Sequence, residues 1–398
     1  MKYNKLLGRI YQKLIYCASF FVKWAKPTVL KSYDELITII TMRQIDNVFL
    51  VTDNNLSKLN LYLPLLKILK NNKIKVVIFD EVLANPSLEI VEKSLTLYKK
   101  NKCHAIIAFG GGSSIDCAKM LGARVTNSKS IQKMKGLLKI KHKLPLLIAI
   151  PTTAGSGSEG TLAAVISDYQ NKEKFTVLDF KLVPKYVVLD ASLTLGLPLY
   201  STGITGIDAL SHGIESFLGK STTRNSRKNS LNGCKLLLNN LPKVKDNNTI
   251  TIRKNLLIGS FLNGLAFSRG YVGYAHGISH ALTAFYNYEH GLGIAVALKY
   301  VLEYSGKTVQ KKIGIIYNYA FNKKEKPLNS YLLFMELFEQ IKKDFNIPST
   351  LFVDKKDYSK IIEHIKKEIF PLYPVPKYLT NEQLINILDE IGGNNEPR

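Results

Sequence analysis

Cysteine is scarce in this chain: Cys17, Cys103, Cys117 and Cys234 are the only four in 398 residues. None lies in a Cys-x-x-Cys pair, which excludes that redox or zinc motif. So few in so long a chain also argue against a disulfide framework, so a reducing cytoplasm is the expected compartment. Long apolar runs are missing too, since none approaches the roughly 20 residues of a membrane span. Residues 14–22 have the length of a signal-peptide core, but no Ala-x-Ala-like cleavage site follows. Acidic residues are outnumbered 31 to 55, leaving a net charge of +24. The bases are mostly scattered lysines with no arginine-rich stripe among aromatics, so a nucleic-acid partner is not expected. What remains is ordinary folded-protein composition, 46% hydrophobic and 22% charged, with enough length for two domains.

Residues 1–26 mix Lys5, Arg9, Lys13, Lys23 and Lys26 with Leu6, Leu7, Ile10, Tyr11, Leu14, Ile15, Phe20, Phe21 and Trp24. This pattern predicts a basic amphipathic helix within an N-terminal extension, 1–27. Packing on its own domain or on a subunit neighbour is expected in preference to a membrane surface.

From there the chain alternates. Residues 48–52, 75–79, 105–109, 144–150 and 186–190 read as strands, with helices at 56–70 and 88–99. Residues 164–167 and 175–179 read as an antiparallel hairpin. Such alternation predicts an α/β domain with a parallel sheet over 28–190. After 191 helical periodicity takes over at 230–241, 256–268, 294–304, 331–344 and 358–368, predicting an all-helical domain over 191–398. Residues 220–229 read as an exposed loop or helix start.

Two polar turns leave buried strands. Gly110-Gly111-Gly112-Ser113-Ser114-Ile115-Asp116 lets backbone approach a phosphate, and Ser113 with Asp116 resembles a capping box at a helix start. It is neither Gly-x-Gly-x-x-Gly nor a P-loop. Pro151-Thr152-Thr153-Ala154-Gly155-Ser156-Gly157-Ser158-Glu159 offers hydroxyls and amides from a second strand end. Two such loops on one sheet suit the crevice at the carboxyl ends of its strands. Asp53 closes the first of those strands, where a carboxylate either accepts ribose hydroxyls, favouring NAD over NADP, or simply caps a helix.

The histidines carry the chemistry. Asp208 and His212 stand four apart, as do His276 and His280, and His290 follows. Positions i and i+4 share a helix face, so each pair can aim at one point. One carboxylate with several imidazoles makes a nitrogen-and-oxygen cage for a divalent metal. His104, His142 and His364 stand alone and take no role.

In this order, Gly110-Gly111-Gly112-Ser113-x-x-Asp116, the 151–159 turn, Asp208-Ala209-Leu210-x-His212-x-x-Glu215, His276-x-x-x-His280 and His290-Gly291 resemble the iron-containing (group III) alcohol dehydrogenases, whose fold is dehydroquinate synthase-like. The resemblance implies that Asp208, His212, His276 and His290 bind the metal, as Fe(II) or alternatively Zn(II). It implies that His280 relays a proton beside substrate and nicotinamide. NAD contacts would come from Asp53, Asn85, Gly111, Gly112, Ser113, Ser114, Ile115, Thr152, Thr153, Ser156, Val165 and Lys174, with Leu193 lining the nicotinamide pocket. Glu289 departs from the family's usual proline and bears on the polarity of the substrate channel.

The expected activity is hydride transfer between a primary alcohol or aldehyde and NAD(H), with the cation as Lewis acid, in a homodimer or larger homo-oligomer. Polyol, diol or hydroxyacid oxidation on the same scaffold is an alternative. A catalytically silent NAD-binding scaffold at a membrane surface is another, from a different class.

Overall fold

The computed structural model describes residues 4–18, 24–171 and 173–393. Phe20, Phe21 and Lys23 of the expected N-terminal helix lie outside them. The chain divides into two compact units, Trp24–Gly196 and Met1–Lys23 with Leu197–Arg398.

Among its described residues the first unit has nine strands: β1 (Thr28–Leu30), β2 (Asn47–Asp53), β3 (Lys75–Val82), β4 (Ala105–Gly110), β5 (Gly136–Leu137), β6 (Leu146–Pro151), β7 (Ala163–Asp168), β8 (Glu173–Leu178) and β9 (Tyr186–Val188). Six form one parallel sheet in the order β1-β9-β6-β4-β2-β3. Val48 to Val51 and Ala105 to Phe109 are fully buried, as strands covered on both faces must be, which is why they read as continuous apolar runs. From β2 the chain steps to one side, to β3. It then returns across β2 to β4 and continues outward through β6 and β9. The direction reverses between β2 and β4, where Asp53 and Gly110 end their strands. The expected hairpin is the antiparallel pair β7–β8, which joins β5 in a small second sheet.

The structure corrects several expectations. The helix expected over 56–70 is two, Asn54–Lys58 and Leu63–Asn71. Asn60 lies in the left-handed region between them, and Pro64 sits in the first turn of the second helix, where its missing N–H costs nothing. β1 and the helix Tyr33–Met42, started by Ser32 accepting from the Glu35 amide, were not anticipated. Nor were the helices Lys307–Phe321 and Asn381–Gly392. Of the two readings of 220–229, an exposed loop or a helix start, the structure has the helix start: Thr223 caps the helix Arg224–Asn240.

The second unit is helical among its described residues. Its centre is Leu199–Leu218, buried on nearly every side from Thr202 onward and packed against Arg224–Asn240, Ile250–Gly270 and His290–Ser305. A helix enclosed this way has no solvated face on which to place charge, so the buried Asp208, His212 and Glu215 along it require partners.

Candidate functional site

In the sheet unit, the two polar turns lie side by side at the carboxyl edge. Gly110 pairs in register with Pro151, and the Thr152 amide donates to Gly110 O at 3.1 Å. A Cβ on Gly112 would come within 2.6 Å of Ser156 Oγ, so the loops touch at this close spacing only because glycine stands there. The helix Gly112–Thr126 starts here, and the amides of Gly112, Ser113 and Ser114 open it with no carbonyl one turn earlier to accept them.

The capping box read from Ser113 and Asp116 is not formed, because Gly111 is the cap and makes no side-chain bond. Ser113 Oγ instead accepts from the Asn85 amide at 3.3 Å, and Asn85 Oδ1 accepts from Lys174 Nζ at 2.7 Å. Asp116 is turned inward and accepts from Ser158 Oγ and, at 2.9 Å, from the Val165 amide. That amide is therefore spoken for. Ile115 is wholly buried, and Leu193 is half-buried with one side packed on the core. Thr152 is buried, while Thr153 and Ser156 are half-buried beside the glycines. Asp53 Oδ1 caps the next helix through the Leu56 amide at 3.0 Å.

A residue absent from the sequence reading holds the second turn in place. Lys119 is fully buried on the Gly112–Thr126 helix. Its ammonium donates to Ser158 O, Ser158 Oγ, Thr161 O, Thr161 Oγ1 and Ala163 O at 2.6 to 3.1 Å. Burial pulls its pKa down to about 8, against the pull of Asp116 and Glu159. Burial also pushes Glu159 up to about 7. The spacing of Asp116 and Lys119, three apart on one helix, was the available signal.

In the helical unit, ligand atoms of Asp208, His276 and His290 all lie within 4.8 Å of one another. Asp208 Oδ1 stands 3.6 Å from His276 Nε2, 3.8 Å from His290 Nε2 and 3.8 Å from His212 Nδ1. His212 therefore borders the trio through Asp208, with its ring stacked on Phe267.

Each remaining imidazole is held from behind. His276 Nδ1 donates to Glu215 at 2.5 Å, and Glu215 also accepts from the Gly273 and Ala275 amides at 2.8 Å. His290 Nδ1 meets Ser279 Oγ at 3.1 Å, and that hydroxyl donates to His290 O. His280 Nδ1 meets Glu368 at 2.6 Å, and Glu368 also accepts from Tyr373 Oη at 2.9 Å. Protons so placed on Nδ1 leave Nε2 as the donor atom. His280 itself stacks on His290 with ring centroids 4.8 Å apart. Glu289, the family departure, bonds Tyr200 and precedes the helix that begins at His290.

The donor set fits a divalent cation. Asp208 Oδ1, His212 Nδ1 and His276 Nε2 are buried with no hydrogen-bond partner, an arrangement that is costly unless a positive charge sits among them. Burial would raise Asp208, yet the surrounding imidazoles outweigh it and hold the carboxyl well below its ordinary range. Burial drives His212 down to about 3, keeping it neutral. Burial would lower His276 as well, but the Asp208 and Glu215 carboxylates that face its ring lift it to about 9, so two carboxylates call for positive charge at this point. Glu215, Ser279, Glu368 and Tyr373 were given no role from sequence. Only Glu215, seven residues from Asp208 on one helix, left a readable trace.

A parallel α/β unit followed by a helical unit with a carboxylate–imidazole cluster defines a two-domain, metal-type oxidoreductase fold. Residues 30–191 match the family model for iron-containing alcohol dehydrogenase, and residues 202–392 match that for the Fe-containing alcohol dehydrogenase family, C-terminal. The chain belongs to the iron-containing alcohol dehydrogenase family. It is 28% identical to alcohol dehydrogenase 4 of Saccharomyces cerevisiae over 89% of this chain and 93% of that one. It is 32% identical to 1,3-propanediol dehydrogenase of Citrobacter freundii over 60% of this chain, spanning 62% of that enzyme's length. The solved alcohol dehydrogenase from Oenococcus oeni superposes with a TM-score of 0.87 at 25% identity, covering 93% of this chain and 99% of the other.

Proposed function

We propose that the protein is an NAD(H)-linked, iron-dependent oxidoreductase that interconverts a primary alcohol and its aldehyde. The observation that carries this reading is the buried cluster of unsatisfied donor atoms on Asp208 and His276, with His290 beside them. Asp208, His276 and His290, with His212 alongside, would hold the cation. Imidazole and carboxylate without thiolate suit Fe(II), with Zn(II) as the alternative. When bound, the cation supplies Lewis acidity and the nicotinamide accepts or gives the hydride. The protein's own residues do the rest. Glu215 and Ser279 fix two ligand rings. Glu368 keeps the His280 proton on Nδ1, so Nε2 can take a hydroxyl proton. In the sheet unit, the amides of Gly112, Ser113 and Ser114 and the hydroxyls of Thr152, Thr153 and Ser156 would receive the pyrophosphate.

Elemental analysis of the purified protein, combined with an NAD-linked screen of alcohols, diols and aldehydes, tests the proposal. About one iron or zinc per chain with alcohol-dependent NADH formation is expected. Absence of both would return the protein to a silent nucleotide-binding scaffold. The relatives named for 1,3-propanediol make diols the second substrate class to include.

Cofactor choice has its own test at Asp53. Its carboxylate would repel a 2′-phosphate and also caps a helix, so Asp53→Ser removes the charge and keeps a capping oxygen. The ratio of kcat/KM with NADP to that with NAD is expected to rise about tenfold. An unchanged ratio would remove Asp53 from the cofactor site.

A further inference from the structure

The helix Lys5–Ala18 is seated on its unit by the wrong side for an ordinary amphipathic helix. Its inward residues are Gly8 and Gln12, one turn apart. A Cβ on Gly8 would lie 2.6 Å from the Phe370 ring, so the backbone itself makes the contact. Gln12 Nε2 donates to Pro371 O at 2.8 Å and Tyr373 O at 2.7 Å. Arg9 lies over the Tyr378 ring, 4.2 Å from its centroid, and donates to Gln12 Oε1. A small residue, an amide and a guanidinium thus anchor the helix. Ile15 and Tyr16 are half-buried, while five large apolar side chains face out: Leu6 is 69% exposed, Leu7 60% and Leu14 64%, with Ile10 and Tyr11 between them. At 100° per residue these five cover about 140° of the helix circumference.

The helix that carries this stripe has charge of one sign. Lys5, Arg9 and Lys13 are the ionisable groups of the helix apart from two tyrosines and a cysteine, and the chain has no acidic residue before Asp34. Arg9 acts on Lys220, and Lys5 acts on Lys366, so the flank of the unit adds to the same field. A second copy docking the same face on itself would press these cations together. A surface that is apolar inside and anionic at its rim satisfies both features.

We infer that the outward face of the helix Lys5–Ala18 is a reversible docking surface for an anionic lipid membrane, with Leu6, Leu7, Ile10, Tyr11 and Leu14 entering the interface and Lys5 and Lys13 meeting the headgroups. The helix lies on the surface; among the described residues none is long and apolar enough to cross a membrane. The proposal does not depend on the reaction catalysed.

Co-sedimentation of the full chain with lipid vesicles tests it. Vesicles of phosphatidylcholine with about 30% phosphatidylglycerol should bind at least about tenfold more protein than phosphatidylcholine alone, and about 0.5 M salt should weaken that binding. The pair Leu7→Asp with Leu14→Asp should abolish binding. So should Lys5→Glu with Lys13→Glu, which alters only solvated side chains and leaves packing untouched. Both should keep the wild-type melting temperature and NADH-forming rate. Wild-type protein that ignores anionic vesicles, or variants that bind as wild type does, would overturn the inference. So would gel filtration in which the aspartate pair splits an oligomer while the wild type binds no vesicles, because the face would then belong to a second copy.

Discussion

Replacing His276 with alanine is expected to strip the cation from the purified protein and lower alcohol-linked NADH formation by about a thousandfold or more. The reason is geometric. His276 Nε2 faces Asp208 Oδ1 from 3.6 Å, and its other nitrogen is tied to Glu215, so the ring is fixed with one nitrogen toward the cluster. Removing it leaves the buried Asp208 and Glu215 carboxylates without the imidazole between them. Elemental analysis gives the first readout and initial rates the second. Glu215→Gln separates holding from ligating, since an amide can still accept from Nδ1 but brings no charge; losses of about 10- to 100-fold in metal affinity are expected there. Full metal content and full rate in the His276→Ala protein would remove that residue from the ligand set, and with it the proposed mechanism.

Lys119→Met is expected to destabilise the fold by about 3–5 kcal/mol, read as a lowered denaturant midpoint, and to weaken NAD binding with it. Methionine matches the length of the lysine stem but donates nothing. The Ser158, Thr161 and Ala163 carbonyls would lose a buried donor, and Asp116 and Glu159 would lose a buried cation that acts on both. The turn carrying Thr152 to Ser156 is tied to the sheet unit through these groups, so a change some residues away should reach the phosphate loops. Lys119 also contributes to pH dependence. Its pKa is lower folded than unfolded, so the folded state binds fewer protons between about 8 and the ordinary 10.5. Stability from this group therefore rises with pH across that window, and the methionine variant should lack the rise. A variant as stable as wild type would show that the buried ammonium is dispensable.

Much of the architecture was legible because burial leaves a mark on composition. The runs at 48–52 and 105–109 are apolar throughout since both faces of a parallel sheet are covered. The i,i+4 pairs of Asp208 with His212 and His276 with His280 are visible since helix geometry is local. Illegible were features decided by distant partners. The break at Asn60 depends on a left-handed residue that periodicity ignores. Ser113 and Asp116 have capping-box spacing, but Asp116 finds Ser158 and the Val165 amide instead, partners brought to it by the turn after β6 and by the packed β7 strand. Glu368 reaches His280 across 88 positions of chain, and no local pattern announces that bond.

By itself the sequence determined the order of the elements, the family, and which side chains have the chemistry to hold a cation. Those depend on residue type and short-range spacing, which the chain states directly. The tertiary structure decided which ring nitrogen each imidazole presents, which carboxylates stand behind them, that Lys119 is buried among five acceptors, and that the N-terminal helix turns its leucines outward. Those outcomes depend on distances between residues far apart in the chain, which are set only when hydrophobic packing closes each unit and buried polar groups settle on the partners within reach.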